Sequence, residues 1–101
     1  MATNGIIRLS VREVCEASGL TRETLVEIVH EGIVEPHGER AGEWEFDAEA
    51  PALLRRAARL HEDLQIEWGG VALVLHMLDE LEKMRAENEM LRRRLQRFLS
   101  D

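Results

Sequence analysis

Apolar residues recur along this chain in two regimes. Up to residue 35 they come at three- and four-residue spacings broken by turn residues, and from residue 71 onward the same spacing runs without a break. Ser10 and Glu13 frame S-V-R-E, a capping box, and predict a first helix of about two turns with Val11, Val14 and Cys15 on one face. Gly19 predicts a tight turn. Thr21 is the next N-cap, and Leu25, Ile28 and Val29 make the buried stripe of a second helix. Gly32 falls just past its end, where left-handed backbone is cheap for glycine, and Ile33 and Val34 return to the core before Pro36 stops regular structure. Residues 1–7, MATNGII, read as a leader whose Ile6 and Ile7, with Leu9 beyond, suit a short strand or a packing role under these helices.

The pattern then changes period. In PHGERAGEWEFD, residues 36–47, the run Glu43-Trp44-Glu45-Phe46 alternates, with both aromatics on one side and both acids on the other. It predicts a two-stranded wing closing against Ile33-Val34. Asp47 is placed to cap a third helix that tolerates Pro51 in its first turn and buries Leu53, Ala57, Leu60 and Leu64, with Leu54 flanking. Trp68-Gly69-Gly70 reads as a joint. From Val71 no Gly or Pro interrupts a single long helix, in which Val74, Met77, Leu81, Met84, Asn88, Leu91, Leu95 and Phe98 form an a/d heptad seam. Asn88 takes an a position, where a polar residue weakens the seam but specifies register. The seam has two readings, a homodimer interface or a helix folded back on its own head, and its length with Asn at an a position favours the homodimer.

Residues 8–36 therefore read as a helix-turn-helix, a motif that usually meets DNA. Charge contradicts that use. Residues 1–47 carry four basic side chains (Arg8, Arg12, Arg22, Arg40) against ten acidic ones, a net of −6, whereas residues 48–101 are nearly balanced, and the whole chain stands at −7. Duplex binders gain most of their affinity by replacing counterions with Lys and Arg, so such a head is repelled by phosphates. Glu23, Glu27 and Glu31, at spacings of four, predict a row of acids on the helix that would otherwise read bases. With Glu35, Glu43 and Glu45 they are the candidate partner-binding residues, for a basic surface that is not nucleic acid.

Other chemistry is thin. His30, His37, His61, His76 and Cys15 do not make a zinc spacing, and no nucleophile–base pair stands out, so neither a metal, a cofactor nor catalysis is expected. A lone cysteine makes no internal disulfide, no stretch of eighteen apolar residues exists, and no basic region precedes an apolar run at the N-terminus; together these predict a cytoplasmic protein without a membrane span. Arg92-Arg93-Arg94 lies among acids on an exposed helix face.

The head resembles the MerR type of winged helix-turn-helix, through Val14, Gly19-Leu20-Thr21, Thr24-Leu25 and Glu31-Gly32-Ile33-Val34-Glu35-Pro36. Where that family carries Arg-Tyr-Tyr after the Thr-Leu pair, this chain has Val26-Glu27-Ile28, and its wing, HGERAGEWEF, lacks the usual basic character. A fuller resemblance is to the CbpM family of bacterial chaperone modulatory proteins. It runs through Leu25-Val26-Glu27-Ile28-Val29, Gly32 to Pro36, Trp44-x-Phe46-Asp47, Arg56-Ala57-x-Arg59-Leu60, Trp68-x-Gly70 and the block from Asn88 to Leu95. Gly69 departs from it, since that family commonly has Pro after the Trp. This resemblance implies a non-catalytic modulator that binds the J-domain of the DnaJ-like co-chaperone CbpA, inhibiting it and reducing its DNA binding. The alternative is a MerR-type DNA-binding regulator lacking an effector domain. The expected architecture is mainly α: a winged helix-turn-helix head over residues 1–68 with a small two-stranded wing, then a long coiled-coil dimerisation helix over 69–101.

Overall fold

A computed structural model describes residues 7–100. The element order is β1 (Arg8–Ser10), α1 (Val11–Ser18), α2 (Arg22–His30), β2 (Glu45–Asp47), α3 (Ala50–Leu64) and α4 (Trp68–Ser100), with one 3-10 turn at Ala41–Glu43. The mainly helical architecture with a two-stranded sheet and a long last helix is the one expected.

The local signals set the first two helices. Ser10 accepts from the Glu13 backbone N–H at 3.1 Å and Glu13 accepts from the Ser10 N–H at 2.8 Å, which is the reciprocal capping box. Thr21 caps α2 by accepting from the Thr24 N–H at 3.1 Å. Gly19 and Gly32 sit at φ 77° and 80°, as the breaks after each helix require. Val14, Leu25 and Ile28 are fully buried beneath them, joined by Phe46, Leu54 and Val71. Burying each of these larger side chains stabilises the head by about 1.5–3 kcal/mol.

The wing is built differently from the expectation. Ile33 and Val34 pack into the core without strand pairing; β2 pairs antiparallel with β1, setting Arg8 opposite Asp47, Leu9 opposite Phe46 and Ser10 opposite Glu45. Leu9 thus takes the strand role suggested for the leader. Ile7 is exposed, and Ile6 lies outside the described residues. On the other edge of β2, His37 makes an isolated bridge to Glu45, through N–H to carbonyl bonds of 2.8 and 2.9 Å in both directions. Asp47 does not cap α3. Its carboxylate accepts from His37 Nε2 at 2.9 Å and lies 3.8 Å from Arg8 Nε, while Glu49 stands at the α3 N-cap without a side-chain cap bond. Trp44 sits just before β2, half-buried, with its ring edge-on to Phe46 at 6.3 Å. Both aromatics pack toward the core, as the alternation implied.

The buried stripe of α3 is also displaced. Ala50, Pro51, Leu54 and Ala57 are buried, Leu53 and Leu60 are half-buried, and Leu64 is half in water at 51% exposure. Arg55 donates to the Ala17 carbonyl at 2.8 Å and so ties α3 to the end of α1. The α3–α4 joint lies at 65–67, earlier than expected, with Gln65 in the left-handed region at φ 54°. His61 holds this joint through a 2.7 Å bond from Nδ1 to the Ile66 carbonyl and a parallel stack on Trp68 with ring centres 4.0 Å apart. Gly69 and Gly70 are inside the first turn of α4, so the long helix begins at Trp68 and a division after residue 68 would cut it. The 33 residues of α4 extend about 50 Å. Val71 anchors its start in the core.

Candidate functional site

The head presents its acids on the side of α2 opposite Leu25 and Ile28. Glu23 and Glu27 are exposed there as expected. Glu31 is the C-cap of α2 rather than a residue within it, because the helix ends at His30. Its carboxylate turns toward the first turn of α4: a Cβ placed on Gly69 would lie 3.3 Å from Glu31 Oε1. A carboxylate there complements the positive end of the α4 dipole. Glu35 is exposed beyond Val34, Glu43 lies in the 3-10 turn and Glu45 in β2. All six candidates are exposed, and among the described residues none has an Arg or Lys partner within ion-pair distance. They do not form one patch. Glu31 is drawn to the base of the long helix, whereas Glu43 and Glu45 line a groove shared with α1 and Arg22.

That groove, about 700 Å³, runs between α1, the start of α2 and the segment leading into β2. Val11, Cys15 and Trp44 give it an apolar lining, with Glu43 and Glu45 on the wing side. The α1 side carries Arg12, paired with Glu16 at 3.5 Å, and α2 contributes Arg22. Sequence reasoning missed this site because its lining comes from three separate segments. The only hint was a tryptophan set between acids. Burial pushes the Cys15 thiol upward, with Arg22 pulling weakly the other way and Glu23 adding to the rise.

The cationic equipment of a DNA reader is reduced further by folding. Of the four head arginines, Arg8 faces Asp47 and Arg12 faces Glu16. No group of three or more His, Cys, Asp or Glu arranged to hold a metal ion occurs among the described residues, and no helix there is long and apolar enough to cross a membrane.

The second candidate surface is α4. Beyond Val74 the seam leaves the head and stands in solvent: Met77, Leu81, Met84, Leu91 and Leu95 are exposed, and Phe98 reaches 79%. Asn88 is exposed as well and accepts from Arg92 Nε at 2.7 Å within its own helix.

Residues 9–93 match the model of the MerR HTH family of regulatory proteins. The chain is 49% identical over 98 residues to the chaperone modulatory protein CbpM of Pseudomonas putida strain W619, covering 97% of both chains. It is 45% identical to CbpM of Pseudomonas entomophila strain L48, again over 97% of each, and 39% identical to CbpM of Salmonella newport strain SL254 over 96% of each. With its helix-turn-helix stripped of basic reading residues, its acidic head and its long apolar-seamed helix, the chain belongs to the CbpM family of chaperone modulatory proteins.

Proposed function

We propose that this protein is a non-catalytic modulator that binds the J-domain of a CbpA-type co-chaperone through its head, inhibits its co-chaperone activity and reduces its DNA binding. The observation that carries this reading is the set of exposed, unpaired carboxylates on a helix-turn-helix scaffold. A J-domain presents a basic second helix beside its His-Pro-Asp loop and uses that face to engage DnaK. Acids opposite it steer association and fix orientation. The relatives' shared name, chaperone modulatory protein, supports a target in a chaperone system. The protein acts as a homodimer, held by α4 through the seam from Val74 to Phe98; a contiguous apolar stripe of this length needs a partner surface.

The test is titration of the purified protein against the cognate co-chaperone and against duplex DNA. Saturable binding to the J-domain with loss of DnaK stimulation is the expected result. No binding to the co-chaperone, together with a salt-sensitive gel shift of DNA at sub-micromolar protein, would overturn the proposal in favour of a MerR-type regulator. That second reading draws its support from the helix-turn-helix family match.

A further inference from the structure

Exposed carboxylates steer a partner but contribute little affinity, and protein interfaces are held by apolar or aromatic anchors seated in pockets. The groove between α1, the start of α2 and the wing offers such an anchor. Trp44 is half-buried against the core and still lines the groove, with Val11 and Cys15 next to it. The two edges differ in charge. On the wing edge Glu43 and Glu45 have no cation within ion-pair distance among the described residues. On the helix edge Arg12 is already engaged by Glu16, but Arg22 has no carboxylate partner among them.

From this asymmetry we infer that the groove is the anchoring pocket of the head: it takes an apolar side chain from a partner helix whose cations face Glu43 and Glu45 and whose neighbouring carboxylate faces Arg22. The inference rests on the J-domain reading above and deepens it. There the cations are those of the basic second helix and the carboxylate is the aspartate of the His-Pro-Asp loop. Occupying both at once would cover the face that engages DnaK. Arg22, which lines this groove, is the first residue of α2, so the start of that helix and the wing act together.

The groove carries its own reporter. Cys15 lines it, and its raised thiol reacts slowly at neutral pH, so iodoacetamide labelling is followed at alkaline pH with full-length CbpA present or absent. Saturating co-chaperone should slow labelling at least tenfold. Two variants complete the test. Gly42→Gln adds bulk to the lining where a Cβ meets nothing within 4 Å, so the fold is spared. Arg22→Glu removes the proposed carboxylate contact. Each should weaken binding at least tenfold with an unchanged melting temperature. Substituting Trp44 is avoided, since it packs on the core and its loss would mix folding with binding. If CbpA binds but Cys15 labels at the free rate and both variants bind normally, the groove inference fails and the J-domain reading stands. Tighter binding by Arg22→Glu also overturns it. If CbpA does not bind at all, the J-domain reading itself falls. Protection that depends on this protein's own concentration, without CbpA, would give the groove to a second copy and overturn the inference.

Discussion

Single residues in the wing loop carry constraints out of proportion to their size. Gly38 sits at φ 112°, and a Cβ there would lie 2.9 Å from the Glu43 carbonyl oxygen. Gly38→Ala therefore adds a steric collision to the roughly 1–2 kcal/mol of left-handed strain that an L side chain meets. It should lower stability by more than that, whereas Gly42→Ala, in open space, should stay within about 0.5 kcal/mol. Denaturant unfolding of the two variants checks the contrast. Cys15 makes a pH prediction. Burial raises its folded-state pKa above that of the unfolded chain. The protein thus binds more thiol protons folded than unfolded over the alkaline range. This contribution is fully present below the ordinary thiol range, about 8.5, and is lost as pH rises through the raised value. Stability should decline in that window, and Cys15→Ala should remove that part of the decline. An identical pH profile for both proteins would show that burial of the thiol is inconsequential.

Helix α4 has two lives as an element. Its first turns, with Trp68 packed on the core and Val71 buried, belong to the head, and the rest extends the seam into solvent. Disrupting the far seam should therefore change association without unfolding the head. Leu91→Asp with Leu95→Asp, both more than half exposed in the single chain, should give a monomeric mass by light scattering and a head that retains its core. A mass equal to wild type would sink the dimer claim. Under the proposed dimer, a polar Asn88 at an a position would specify the register of the seam.

At the scale of the whole molecule, charge is segregated, with a net of −6 on residues 1–47 out of −7 for the chain. Association with a basic partner should slow as salt rises, since exposed charges are screened beyond about 10 Å at 0.1 M. Reversing Glu23, Glu27 and Glu31 together to Lys replaces attraction with repulsion and should cost several kcal/mol of binding, roughly a hundredfold or more in Kd. The fold divides this effect between two properties. Glu31 faces the start of α4, so Glu31→Lys alone should act on stability, by about 0.3–1 kcal/mol from the lost dipole interaction. Glu23→Lys with Glu27→Lys should carry the binding loss. Titration calorimetry and thermal unfolding on the same variants separate the two. A folded triple variant that inhibits at wild-type concentration would remove the acid row from the interface.

What the sequence determined by itself is what depends on neighbours a few residues away. The Ser10–Glu13 capping box, the Thr21 cap and the breaks at Gly19 and Gly32 are each complete within about one helical turn, and the unbroken period of α4 is carried by spacings of three and four along a single segment. The charge asymmetry is likewise a property of composition. Tertiary structure decided everything that needed a partner distant in the chain. A three-residue strand carries no mark of its mate, so β2 could be read as a strand but not assigned to β1, and that pairing took Asp47 from the helix cap it was expected to supply. The stripe of α3 shifted because two apolar phases were available, Leu53 with Leu60 and Leu64 on one face and Leu54 beside it, and only packing against the core selects Leu54. Glu31 reads as the third acid of a row, yet the end of α2 at His30 and the approach of α4 turn it away. The groove at Trp44 exists only where α1, the start of α2 and the wing converge, and a surface assembled from three segments has no period in the sequence to announce it.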